Sequence, residues 1–158
     1  MARRHKQSWS VGDYFTITLS DNSCVFGQVI GYEAEALNSV ICAIFSKKVD
    51  GSVAEVPEGL TERDLIAVQF VTRDLLDSSH WRVFAHGLSP DPSRYLPLNA
   101  LKRDRFIGAT IEGSGIIVEF MNAYFALLPW NGFHDPGYFD KLLLSPDRKP
   151  EKLLLKQG

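Results

Sequence analysis

The sequence has only two cysteines and no long hydrophobic run, and each shortage excludes a class of protein. Two cysteines are too few for the disulfide framework of a small secreted scaffold. Cys24 and Cys42 both lie in apolar stretches, which predicts buried free thiols in a reducing compartment, with a cross-strand disulfide as the alternative. No stretch approaches the roughly 18 consecutive apolar residues that cross a membrane.

The N-terminal end carries a short basic cluster, Arg3, Arg4, His5 and Lys6. Polar residues follow this cluster where a secretory signal would have an apolar segment, so we expect no signal peptide. Together with the cysteine content, this predicts a cytoplasmic protein. The net charge of −2 gives no general attraction to nucleic acid or to an anionic membrane.

Length and composition predict one domain over residues 1–158. The chain is 45% hydrophobic and 23% charged, which is typical of an ordinary globular protein. A chain of 158 residues can bury a sufficient core without a disulfide or a structural metal. No internal repeat, low-complexity segment or linker divides the sequence.

Strand patterns fill the first 112 residues. Residues 13–20 alternate, with Phe15 and Ile17 on one face, which is typical of a half-buried strand. A turn leads into a second arm, where Gly27 and Gly31 predict a bulge or a bend. The apolar run at 40–45 predicts a strand buried on both faces. The remaining expectations are strands at 65–71, 81–86 and 106–111, a helical turn at 72–76, and irregular connections at 47–64 and 87–99.

Beyond Gly113 the apolar residues recur at helical spacing. This pattern predicts a helix that is capped by Ser114 and stopped by Pro129. Asp135 and Pro136 predict the start of a second short helix. The predicted fold class is therefore mainly β (α+β). We expect a small, strongly bent antiparallel sheet or SH3-like barrel over about 11–112, two C-terminal helices within about 115–144, and a tail over 145–158.

No group of residues has the spacing of a catalytic or metal site. The Gly113-Ser114-Gly115 segment lacks the outer glycines of a nucleophile elbow and the lysine of a phosphate-binding loop. No two histidines have the spacing of a helical zinc pair. We therefore expect no enzymatic activity, no catalytic residues, no metal and no cofactor. His134, beside Asp135 at the predicted helix start, is the alternative, as part of a hydrolase site.

Two sets of residues predict a surface for a protein partner. Acidic residues dominate the stretch 33–64, and complementarity to a basic protein would speed association. The acidic candidates are Glu33, Glu35, Glu55, Glu58, Glu62 and Asp64. Trp130 and Phe133, between the two predicted helices, are the apolar candidates for contact with the partner. A solvated loop is the alternative for the acids, and a packed core is the alternative for the two aromatic residues.

Several short segments together resemble the immunity protein 26 family of bacterial polymorphic-toxin systems. Near the N-terminus these are VGDYFTITLSD at 11–21 and FGQV at 26–29. Nearer the C-terminus they are FMNAY at 120–124, LPW at 128–130 and DPGYFDKLL at 135–143. The segments occur in the order expected of the family, and the resemblance extends over roughly residues 9–144.

The resemblance implies a mainly β domain that binds and neutralises a toxin encoded beside it. It supplies no catalytic residues. From it we expect stoichiometric occlusion of a cognate toxin protein, with no membrane partner. Two alternatives remain at this point. One is a small nucleic-acid-binding or regulatory barrel module, which a basic groove with aromatic residues would favour. The other is a hydrolase that uses His134.

Overall fold

Six strands and four short helices are present in the computed structural model, which describes residues 6–51 and 53–157. The basic residues Arg3, Arg4 and His5 lie outside these ranges. The strands are β1 (Asp13–Thr18), β2 (Ser23–Glu33), β3 (Ser39–Asp50), β4 (Leu65–Val71), β5 (Val83–His86) and β6 (Ile111–Glu112). The helices are α1 (Asp74–Asp77), α2 (Leu98–Arg103), α3 (Ser114–Tyr124) and α4 (Tyr138–Leu142).

The strands form a single mixed sheet in the order β5-β1-β2-β3-β4-β6. Neighbouring strands are antiparallel except β4 and β6, which are parallel. The α+β class is therefore confirmed. The described sheet is open, because its outer strands β5 and β6 do not pair with each other, so a closed barrel is not confirmed.

The sheet is covered on both faces, and this explains the continuous apolar run in β3. Every residue from Val40 to Phe45 is at most 8% exposed, which confirms the prediction of a strand buried on both sides. On one face, which we call the helix side, residues such as Phe15 and Ile44 pack against α3 and α4. On the other face, the loop side, Phe26 and its neighbours pack against α2 and the segment before it.

Both cysteines are free and buried, as predicted. Cys42 belongs to the helix-side core and Cys24 to the loop-side core. Because they lie on opposite faces of the sheet, a cross-strand disulfide between them is excluded in this fold. Burial raises the pKa of the Cys42 thiol far above its usual range, so this thiol stays protonated.

The prediction of a strand at 106–111 is wrong for most of that segment. Arg105 and Phe106 both have left-handed backbone conformations, with φ of 53° and 61°, which a strand cannot contain. Phe106 instead places its ring in the loop-side core against Phe70, at a centroid distance of 6.0 Å. Only Ile111 and Glu112 pair, as β6. Helix α2 lies at the end of a region that the sequence predicted to be irregular.

Helix α3 begins and ends within a few residues of its predicted bounds. Its N-cap is Gly113 rather than Ser114, and the Ser114 hydroxyl instead donates to the Asp74 carboxylate at 2.6 Å. The helix ends at Tyr124, before Pro129, because Ala126 adopts a left-handed conformation (φ 59°) and the next N–H returns to the Asn122 carbonyl at 2.8 Å. This is a Schellman-type C-terminus with alanine at the usual glycine position.

The predicted bulge in β2 is confirmed at Gly31, since the register with β3 shifts between Val29 and Gly31. Gly27 has a different role, because it lies directly under the ring of Phe15 on β1. In the C-terminal tail, Leu154 forms a bridge with Pro129. Among the described residues no helix is long and apolar enough to cross a bilayer, and α3, the longest, has 11 residues.

Candidate interaction surface

A groove of about 210 Å³ opens on the loop side of the sheet. Strands β1 to β4 provide its floor, and the segments around residues 60–62 and 88–95 provide its walls. We call it the sheet groove. It is lined by Tyr14, Gln28, Ala43, Phe45, Leu60, Thr61, Glu62, Leu65, Leu88, Pro90, Arg94 and Tyr95.

A buried glutamine fixes one wall of the sheet groove. Gln28 is 1% exposed, and its Nε2 donates to the backbone carbonyls of Gly12 at 3.2 Å and Leu88 at 3.0 Å. The side chain of Leu88 is nevertheless 98% exposed. A leucine that is restrained at its backbone and open to water offers an apolar contact whose binding costs side-chain entropy but less backbone entropy.

The opposite wall carries a polar network centred on Glu62. Its carboxylate accepts from the Tyr95 hydroxyl at 2.7 Å and forms an ion pair with Arg94 at 3.2 Å. Burial, followed by the hydrogen bond to Glu62, raises the pKa of Tyr95. The Arg148 guanidinium donates to the backbone carbonyls of Glu62 and Arg63. These contacts hold the wall in place and combine one acidic with one basic group.

The structure separates the predicted acidic residues into two groups. Glu33 and Glu35 lie at the β2–β3 turn, and the other four lie in or after the loop that follows β3. Leu65 pairs with Phe45, so Glu62 and Asp64 lie beside the middle of β3, six residues or roughly 20 Å of strand from Ser39 at that turn. Glu62 lines the sheet groove, and Glu55 and Glu58 are exposed earlier in the loop that supplies Leu60 and Thr61 to the groove.

Besides Glu62, which is bound to Arg94 and Tyr95, two further acidic candidates have partners within the chain. The Asp64 carboxylate accepts from the Thr61 backbone N–H at 2.9 Å in a capping box, so this residue organises the loop. Glu33 pairs with Lys102 at 3.7 Å. Glu35 is exposed at the β2–β3 turn. Among the six candidates, Glu55 and Glu58 in the loop after β3 and Glu35 at the turn are the exposed acids for which no side-chain partner is described.

Trp130 and Phe133, the two aromatic candidates, lie in different environments. Trp130 is 2% exposed and packs between the rings of Phe120 and Phe139. Its Nε1 donates to Asp140 at 3.1 Å. A ring buried in this way is part of the core and does not present itself to a partner. Phe133 is half-buried beside Tyr138, on the helix side of the sheet and away from the sheet groove.

The residues considered for catalysis remain apart. Ser114 is 1% exposed and bonds to Asp74 and Thr72, with no histidine in the network. His134 is exposed, and no described carboxylate hydrogen-bonds to it. Asp140, the carboxylate on α4 that a His134 site could have used, is bound to Lys149 at 2.8 Å and to Trp130. Among residues 6–51 and 53–157, no group of three histidine, cysteine or acidic side chains could hold a metal ion.

Sequence reasoning did not find the pair formed by Asp13 and His86. The His86 Nδ1 lies 2.8 Å from Asp13 Oδ1, and the two residues are direct partners in the β1–β5 ladder. Gly12 lies so close that an added Cβ would meet the imidazole at 2.7 Å. Seventy-three positions separate the pair in the chain, so no local pattern could reveal it.

Tyr138 and Glu112 form a second pair that joins distant parts of the chain. The Tyr138 hydroxyl donates to Glu112 Oε2 at 2.5 Å, and Glu112 is 4% exposed. This hydrogen bond, followed by burial, raises the pKa of Tyr138 to about 12. The bond ties α4 to the β6 edge of the sheet.

This pair predicts a pH-dependent contribution to stability. Because the folded-state pKa of Tyr138 lies above the ordinary value of 10, its contribution is complete below pH 10 and is lost as the pH rises towards 12. We expect Tyr138→Phe to lower the free energy of unfolding at pH 8, and the gap from the native protein to shrink at pH 11. Urea unfolding at the two pH values measures this, and a constant gap would contradict the assignment.

Comparison of the chain with family models, with curated proteins and with solved structures finds no match.

Proposed function

We propose that this chain is an immunity protein that binds a cognate bacterial toxin and neutralises it by stoichiometric occlusion. The resemblance in the sequence suggests this function. The observation that supports it best is Leu88, a fully exposed leucine whose backbone is fixed by the buried Gln28 beside an open groove. A protein that acts by covering another protein needs such a contact, and it needs no catalytic group of its own.

The charge beside the sheet groove suggests the kind of toxin surface that would fit. The loop carries exposed Glu55 and Glu58, and Glu62 follows it at the groove wall. Such a loop favours a partner whose contacting surface is basic, since opposite potentials speed encounter and reject wrong partners. Leu88 would supply the apolar anchor at the centre, and the acids would lie at the rim, where charges act mainly on the association rate.

The two alternative functions have less support. A nucleic-acid-binding module would want a basic groove, whereas the sheet groove has Arg94 paired with Glu62 and lies beside further carboxylates. A hydrolase that uses His134 would want a carboxylate next to this histidine, and Asp140 is instead bound to Lys149. We therefore keep the protein-binding function as the proposal.

Co-expression tests the proposal directly. The protein encoded by the adjacent gene is expressed in bacterial cells with this chain or with a variant, and growth is measured. We expect the native chain to restore growth and the purified pair to form a complex of equal stoichiometry. Leu88→Asp should weaken this complex about 30-fold, as loss of a central anchor does, and should abolish protection.

Ile107→Asp is the matched control, because Ile107 is another exposed hydrophobic residue, at 78%, and does not line the sheet groove. Both variants should keep their stability within about 0.5 kcal/mol, since neither side chain is buried. An adjacent protein that is harmless to cells, or that does not bind the native chain, would refute the proposed function. Equal loss of binding in both variants would refute the assignment of the surface.

Charge reversal in the loop tests the proposed steering. We expect Glu55→Lys combined with Glu58→Lys to slow association with that partner about three- to tenfold at low salt, because the loop would then repel a basic surface. Stopped-flow mixing measures the rate, and the difference should shrink as salt screens the charges. The double variant Glu35→Lys with Glu151→Lys changes the net charge equally at exposed positions outside this loop. Similar slowing in both double variants would leave no role for the loop itself.

A further inference from the structure

A second cavity, of about 310 Å³, lies on the loop side near the end of β1. Its polar lining consists mainly of hydrogen-bond donors. The donors are the hydroxyls of Thr16, Thr18 and Ser79, the Asn22 amide, the His80 ring and the Arg82 guanidinium. The proposed protein-binding function uses none of these residues.

The Arg82 guanidinium is held in position at the edge of this cavity. Its Nη2 donates to the Val53 carbonyl at 2.6 Å, which leaves further N–H groups of the same fork for another acceptor. The Nδ1 atom of His80 lies 2.6 Å from the Ser78 hydroxyl, so the Nε2 atom is the ring nitrogen left for a ligand. The oriented N–H groups of Arg82 beside several hydroxyls are suited to an oxyanion, and His80 Nε2 adds a donor only in the form of the ring that carries a proton there.

No carboxylate lines the described part of this cavity. Two acids adjoin lining residues in the chain: Asp21 is occupied by Lys48 at 2.8 Å and by the Ser23 hydroxyl, and Asp50, which precedes Gly51, is exposed. No described carboxylate forms an ion pair with Arg82. The positive charge of Arg82 is therefore not neutralised within this part of the chain, and an anion could supply the opposite charge.

Three of the lining residues have left-handed backbones: Asn22 with φ of 68°, Gly51 with 81° and Ser79 with 63°. The conformation is uncommon for a serine, so the surrounding structure must hold it there. The turn around Asn22, the end of β3 and the turn after α1 each contribute one of these residues. The surrounding structure thus brings three tight turns together around one cavity.

A neighbouring cavity of about 330 Å³ lies on the helix side of the sheet, where its apolar lining is Leu75, Trp81 and Val118. It shares Thr18 and His80 with the first cavity, so the two meet at the end of β1. Trp81 is 2% exposed, and its indole Nε1–H has no hydrogen-bond partner among the described residues. A buried donor without a partner is costly, and native proteins rarely keep one. This N–H is itself buried, so it reports on the packing of the apolar wall and not on a contact with a ligand atom.

We infer that the two cavities form one binding site for a small phosphate monoester. The phosphate lies at the first cavity, against Arg82, His80 and Thr18. The organic group lies at the second, against Leu75, Trp81 and Val118. The combined volume lies within the range of small-molecule sites, and an apolar wall with a few directed polar groups is their usual composition. The site is distinct from the sheet groove, so its failure would leave the proposed immunity function untouched.

Phenyl phosphate is the probe for this site, and the Trp81 indole N–H is the reporter. The three indole signals in a ¹H–¹⁵N spectrum are distinguished with Trp81→Phe. We expect phenyl phosphate to shift the Trp81 signal in a saturable way at millimolar or lower concentration. Benzyl alcohol, which has a similar ring and no phosphate, should bind at least about tenfold more weakly because it cannot pair with the arginine.

Arg82→Gln should weaken phenyl phosphate binding about tenfold or more, whereas Arg103→Gln, at an exposed position on α2, should leave it unchanged. Thr18→Val is a second variant that removes one hydroxyl and retains the shape, and it should weaken binding severalfold even if the Arg82 variant fails to fold. Absence of a saturable shift with the native protein would overturn the inference. Equal binding of benzyl alcohol, or equal losses at Arg82 and Arg103, would overturn it as well.

Discussion

Replacing Trp130 with alanine is expected to lower the free energy of unfolding by about 3–5 kcal/mol, as for other large buried aromatic residues. The Trp130 ring is 2% exposed and contacts Phe120 and Phe139 at centroid distances of 5.7 and 5.5 Å. Alanine would leave a cavity between α3, α4 and the tail. Denaturant unfolding, followed by far-ultraviolet circular dichroism, measures the change.

Two variants separate the contributions at this position. Trp130→Phe keeps most of the ring and loses the hydrogen bond to Asp140, so its cost should be about 1–2 kcal/mol. Asp140 keeps its ion pair with Lys149 in both variants and is not left alone. Leu88→Ala removes a fully exposed side chain and should change the free energy of unfolding by less than about 0.5 kcal/mol. A cost below about 1 kcal/mol for Trp130→Ala would show that the ring is not part of the core.

Replacing Gly27 with alanine is expected to cost about 2–3 kcal/mol, at the upper end of the usual penalty for overpacking. Gly27 pairs with Phe15 across β1 and β2, and the Phe15 ring lies over its Cα. An added Cβ would lie 2.6 Å from Cε2 of that ring and still closer to Cζ. The ring cannot move aside freely, because it is fully buried and stacks on Trp81 at 4.9 Å.

Gly115→Ala is the control for that change. Gly115 is exposed in the first turn of α3, and an added Cβ meets nothing within 4 Å. Alanine favours a helix over glycine, so this variant should be more stable by up to about 1 kcal/mol. The midpoint temperature of thermal unfolding should therefore be lower than that of the native protein for Gly27→Ala and higher for Gly115→Ala. Stabilisation by both would mean that the Phe15 ring does not confine position 27.

The strand patterns were predictable where burial alternates or is complete. β1, β2 and β4 lie within about two residues of their predicted bounds, because their apolar residues face a core in every alternate or every position. The strand prediction at 106–111 failed because Phe106 enters the core from a turn and not from a strand. Phe106 anchors a tight turn to the loop-side core. Its left-handed backbone could not be predicted, because the sequence around one phenylalanine does not indicate that conformation.

The candidate surface was only partly predictable. Acidic residues in a loop gave a visible signal, and one of them, Glu62, does line the sheet groove. Trp130 gave a misleading one, since a tryptophan between two helices has the same local sequence whether it faces the core or a partner. Leu88 gave none, because a single leucine among polar and proline residues has no pattern. Its significance comes from Gln28, sixty positions away.

The sequence by itself determined the class of this protein: an α+β chain whose strands come first and whose longest helix follows Gly113. Local periodicity is sufficient for this, because it reports which side of each segment is buried. Only the tertiary structure decided the open strand order, the separation of the acids along β3, the burial of Trp130, and the meeting of Gln28 with Leu88 and of Arg82 with Val53. These depend on contacts between residues far apart in the chain, and each is set by the packing of the whole sheet rather than by neighbours in sequence.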